Sequence, residues 1–148
     1  MTNIPPEADD LEIERIARGM IACTLPKPEW THHAHFAAAL WLLSRPDILA
    51  REGGMAPLIR RYNEATGVAN TDTGGYHETI TRASLRGAAA VLADHPDASL
   101  SVVLDALMAG PLGDKRWPLS YWSEARLMGV EARRRWVEPD LAPLPWPE

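Results

Sequence analysis

Cysteine is almost absent from this chain: Cys23 is the only one in 148 residues. An internal disulfide and a thiolate metal cluster each need more than one, so both are excluded. There is no long hydrophobic run either. Trp30 to Ser44 runs for fifteen residues without Lys, Arg, Asp or Glu, which is short of a bilayer span and includes three histidines. Positive charge is the scarcer sign, with 15 Lys plus Arg against 20 Asp plus Glu and a net charge of −5. A phosphate backbone would be repelled by that average surface, which argues against a general nucleic-acid role. The opening Met1 to Asp10 lacks the basic and apolar regions of a secretory signal, so the expectation is a cytoplasmic chain. No window shows strand alternation, no segment repeats, and no linker separates two composition regimes.

What remains is 46% apolar and 24% charged, the balance of one globular domain over residues 1–148. A chain of this length buries roughly 70% of its extended surface on folding, enough for one core. From Ala8 to Cys23 the apolar positions recur with a helical period, and the pattern stops before Leu25-Pro26-Lys27-Pro28. Thr31 is placed to cap a helix from His32 to Ser44, closed by Arg45-Pro46. Its stretch Phe36 to Leu43 is apolar on every side, the mark of a helix at the centre of a bundle. Further helices are expected over Asp47 to Arg51, Met55 to Ala65, Tyr76 to Ala93 and Ala98 to Met108, with shorter pieces over Leu119 to Leu127 and Val130 to Trp136. Thr66 to Gly75 reads as a surface loop, and the proline-rich end from Glu138 to Pro147 as an extended strap. The fold class is therefore all-α: a bundle of four to five main helices, short C-terminal helical extensions and a Pro-rich tail.

Four of the five histidines fall in two short motifs. In Trp30-Thr-His-His-Ala-His35, the pair His32 and His35 is three residues apart and shares one helix face, a spacing that lets one helix offer two nitrogens to one ion. In Gly74-Gly-Tyr-His-Glu-Thr-Ile-Thr81, His77 heads a row continuing through Thr81, Leu85 and Ala88, so it is expected to face inward. Two helices would then bring three imidazoles to one end of the bundle, the open three-ligand pattern of catalytic metal sites. Helix N-termini oppose protonation and would keep these rings neutral, the form that binds metal. Gly74 and Gly75 would leave room for a ligand beside His77, with the adjoining loop as a lid and Asp72 as a spare carboxylate. The plain alternative is that each histidine is a core residue bonded to a carbonyl or hydroxyl. Established signatures are missing: there is no His-Glu-x-x-His, no His-Asp pair, and only a single Glu-x-x-His at Glu29 to His32.

Thr24-Leu-Pro with Trp30-Thr-His-x-x-His35, then Gly75-Tyr-His-Glu-Thr-Ile-Thr81, then Trp136-Val-Glu-Pro-Asp-Leu141 resembles a family of small bacterial all-helical proteins. The resemblance covers most of the chain, and Tyr76-His-Glu-Thr79 is its most specific part. It implies that His32, His35, His77 and Glu78 belong to that family's motif, and it implies no activity. By fold analogy alone, three histidines hold a divalent ion in helical DinB-like proteins, with a different ligand spacing and order.

The expectation is thus a metal-dependent enzyme acting on a small molecule, with His32, His35 and His77 on a divalent zinc, nickel, iron or manganese ion. Glu78 would serve as a fourth ligand or general base, supported by Tyr76 and Thr81. A metal-free protein using His77 and Glu78 for acid–base work or ligand binding is the second expectation, and a structural protein with core histidines the third. Neither a membrane nor a nucleic acid is expected as partner, and a homo-oligomer is compatible with the sequence. Cys23 is expected as a buried, inert thiol on a helix face, Arg133 to Arg135 as a solvated face, and the late tryptophans as a seal under the strap, with Tyr121 and Trp122 as alternative pocket residues.

Overall fold

The computed structural model describes residues 6–147. Among them the chain is all helical, in the order α1 Pro6–Ile21, α2 His32–Leu43, α3 Pro46–Arg51, α4 Met55–Ala65, α5 Glu78–Ala93, α6 Leu100–Ala109, α7 Glu124–Leu127 and α8 Val130–Arg134. Five of these, α1, α2, α4, α5 and α6, have ten or more residues and form the bundle. No helix among the described residues is long and apolar enough to cross a membrane.

The uniform apolarity of α2 decides the architecture. Such a helix has no face to offer water, so it must be surrounded. Ala34 and the unbroken run Phe36 to Leu42 are buried, with α1, α3, α5 and α6 packed around them. The core is completed by Met20, Leu58, Tyr62, Leu107 and Leu127, all nearly inaccessible. The expected bounds of α4 agree with the structure, and the others differ by one to a few residues. One difference matters locally. α1 ends at Ile21, so Cys23 is not on a helix face; it sits half-buried beyond the end with φ 60°, where the backbone turns through the left-handed region.

The tail is a strap, as its prolines require. Trp146 packs edge-on against Trp117 at 5.4 Å, and Arg86 donates through Nη2 to the Trp146 carbonyl at 2.6 Å. Trp122 is fully buried and donates through Nε1 to the Val137 carbonyl at 3.0 Å. Tyr121 contacts Trp117 and Trp146, so these aromatics close the core beneath the strap and fix the position of Trp117. The turn between α6 and Trp117 is tight: a Cβ at Gly113 would overlap the Met108 carbonyl, so only glycine fits there.

Candidate functional site: a recess beside the start of α2

Thr31 caps α2. Its backbone is extended (φ −90°, ψ 175°) and its hydroxyl accepts from the Ala34 N–H at 3.2 Å. With the cap supplied by threonine, the histidines of the first turn are released for other contacts. His32 Nε2 lies 2.8 Å from the Leu112 carbonyl. A carbonyl only accepts, so Nε2 carries the hydrogen and donates it. His35 lies against Trp30, with ring centroids 4.1 Å apart, and has no protein hydrogen-bond partner among the described residues. His35 is an exposed residue whose ring packs on Trp30 and which lines a recess. Desolvation by the surrounding protein, and then the neighbouring His32, pull its pKa down to about 4. His35 is therefore neutral at physiological pH.

The recess is a cavity of about 130 Å³ between α2, α4, α5 and the segment Lys115 to Pro118. Trp30, Phe36, Ala39, Met55, Ile59, Ile80, Leu85 and Trp117 give it apolar walls. Its polar lining consists of His32, His35, Thr81, Ser84 and Lys115. Two of the three expected histidines and Thr81 thus meet at one place.

His77 goes elsewhere, and the reason is where α5 begins. The sequence reading starts that helix at Tyr76 and puts His77 on its inward row; the helix starts at Glu78, and His77 is its cap. At φ −133° and ψ 110° the side chain folds back over the first turn, and Nδ1 accepts from the Ile80 N–H at 3.1 Å. Nε2 donates to the Leu127 carbonyl at 2.7 Å. Both ring nitrogens are occupied, the tautomer is fixed, and His77 does not line the recess. Burial lowers its pKa, with the Arg133 charge adding to the effect. Among the described residues no group of three His, Cys, Asp or Glu side chains is arranged to hold a metal ion.

Tyr76 and Glu78 form a pair. The buried phenol donates to Glu78 Oε1 at 2.7 Å, and the Arg60 guanidinium stacks 4.9 Å from the Tyr76 ring. Burial first, and then the Glu78 carboxylate, push the Tyr76 pKa upward, with the Thr81 side chain acting in the opposite direction. Thr81 is also part of the recess wall.

Gly75, two residues before His77, serves the loop and leaves no space beside it for a ligand. Gly75 has φ 81°, and a Cβ there would stand 2.5 Å from the Ala69 carbonyl oxygen and 2.7 Å from the Asn70 side chain. Asn70 ties the loop down: its Oδ1 accepts from Asn63 at 3.0 Å and from the Tyr76 N–H at 3.0 Å. Asp72 is held by Arg134 in a two-pronged pair at 2.8 and 2.6 Å. The loop contributes no wall to the recess, so its place is that of a tied connection, not a lid over His35.

Sequence reasoning did not find Lys115, Ser84, Met55, Ile59 or Trp117 as partners of these histidines. No local signal marks them, because each reaches the recess through packing of an element distant in sequence. Comparison of the chain with protein-family models, with curated proteins and with solved structures finds no match.

Proposed function

We propose that this protein binds a small, largely apolar molecule in the recess beside α2, with His35 meeting the molecule's polar end. One observation carries the reading: a neutral imidazole with no protein partner, open to solvent, faces an apolar cavity of about 130 Å³. Apolar cavities of roughly 150 Å³ accept a benzene ring, so one small ring or a short branched chain is the size that suits this one. Apolar walls supply affinity, and a few polar groups supply orientation. A neutral imidazole can accept a hydrogen bond or a proton from the bound molecule, which also makes acid–base chemistry available. The test is an amide-resolved NMR titration with benzyl alcohol as probe. The expected shifts gather on Trp30, Thr81 and Trp117 and vanish in Ala39→Phe and Ser84→Leu, which fill the cavity from two different helices. Unchanged binding in both filled variants, or no binding in the natural protein, would overturn the reading.

A second reading keeps a metal ion, and the Leu112 carbonyl favours it. A ligating imidazole is typically oriented by a hydrogen bond from its other nitrogen, and His32 makes such a bond. A divalent zinc, nickel, iron or manganese ion would take Nδ1 of His32 and a nitrogen of His35, with bound water or the small molecule completing its shell. His77 would join only by giving up one of its two bonds. Tag-free protein, exposed to zinc and then dialysed, should retain about one equivalent, lost in His32→Ala/His35→Ala and kept in His77→Ala. Equal metal in the natural and double-variant proteins would end this reading and leave the first intact.

A further inference from the structure

Resting on the recess reading, we infer that the molecule bound there is a small apolar monocarboxylic acid, its hydrocarbon body inside the cavity and its carboxylate at Lys115. The argument begins with charge. Of the groups lining the recess, the hydroxyls of Thr81 and Ser84 are uncharged and no carboxylate is present. Lys115 is the one lysine or arginine among them. It forms no ion pair or hydrogen bond with the protein among the described residues, so its ammonium is open to a ligand at the rim of the apolar cavity.

The backbone under Lys115 is fixed. Asp114 Oδ1 accepts from the Arg116 N–H at 2.9 Å, and the Asp114 carbonyl accepts from the Trp117 N–H at 2.9 Å. Single helical turns at Pro111–Gly113 and Trp117–Ser120 bracket the residue, so its side chain springs from a defined point at the edge of the recess.

The walls then restrict the class of molecule. A second carboxylate would be driven against Phe36, Met55 and Ile59, where nothing pairs with it. An amine would meet Lys115 as a like charge. A single carboxylate on a ring or a short branched chain satisfies both ends, the ammonium acting as a compact point charge and His35, Thr81 and Ser84 offering hydrogen bonds nearby.

The experiment titrates the intact protein at pH 7.5 and low salt with benzoate, benzyl alcohol and benzylamine, following tryptophan fluorescence and amide shifts. Benzoate is expected to bind about two- to fivefold more tightly than benzyl alcohol, and benzylamine more weakly than either. Raising the salt should weaken benzoate alone. Lys115→Met should bring benzoate down to the level of benzyl alcohol, while Lys115→Arg restores the preference. Equal binding of the acid and the alcohol, or a preference for benzoate that survives in Lys115→Met, overturns the inference and leaves the recess as a binding site. Failure of all three probes to shift the recess residues overturns the recess reading and this inference with it.

Discussion

The starts of α2 and α5 carry similar motifs, each with an aromatic residue and histidine at the helix entrance, yet they use their imidazoles in opposite ways. In α2 the cap is Thr31, so His32 keeps one free nitrogen and His35 keeps its ring open to the recess. In α5 the cap is His77, whose two nitrogens close the helix start and bind the end of α7. A histidine at a helix start is available for chemistry only when another side chain satisfies the first-turn N–H groups.

The largest effect should come from removing the histidine that is spent on structure. His77→Ala loses a cap worth about 1 kcal/mol and strands the Leu127 carbonyl at a further cost of about 1–3 kcal/mol, so about 2–4 kcal/mol of stability should disappear in urea unfolding. His77→Asn keeps the acceptor for the Ile80 N–H and should recover part of that loss, while benzyl alcohol binding is untouched in both variants. A loss below about 0.5 kcal/mol in His77→Ala would break the contrast between the two helix starts.

Thr31→Ala should cost about 1 kcal/mol and Thr31→Ser almost nothing, because the hydroxyl is what the Ala34 N–H needs. A smaller effect is expected from His35→Gln, within about 1 kcal/mol, since the ring has no protein hydrogen bond to lose. Here binding is the informative readout: the probe should bind less well although the protein remains as stable.

Acidification sharpens the comparison from another side. The folded pKa of His35 is near 4 and that of His77 is also lowered, whereas both return to about 6.5 on unfolding. Between these values the unfolded chain binds more protons, so stability is complete above about pH 6.5 and falls as the pH drops towards 4. The Thr31 cap does not titrate, but protonation of His77 Nδ1 removes the acceptor for the Ile80 N–H. Amide exchange should therefore quicken at the start of α5 before it does at the start of α2. The reverse order would show that the α5 cap does not depend on the neutral ring.

Much of this was legible from residue order. The Thr31 cap, the buried run of α2, the bounds Met55–Ala65, the strap and the pairing of His32 with His35 on one face all follow from patterns within a few residues of one another. The start of α5 was missed by two residues, and that shift moved His77 from an inward face to the cap. Histidine is an uncommon cap, and the rules that look for Ser, Thr, Asp or Asn pass over it. Glycine at position 75 signalled a special backbone, correctly, but a positive φ alone does not tell whether the space beside it holds a ligand or the carbonyl of Ala69.

Residue order sets an all-helical chain organised around one apolar helix, with imidazoles near two helix starts. These are local matters of period, capping and side-chain chemistry. The tertiary structure alone decided which imidazole stays free, because the deciding partners lie far along the chain: Leu112 is 80 residues from His32, and Leu127 is 50 from His77. It also decided that Lys115 and Trp117 line the same recess as His35, since the walls of a recess come from elements that meet only when the core closes. Hydrogen bonds and cavities depend on positions to within a fraction of an ångström, and only the packing of distant segments fixes them to that degree.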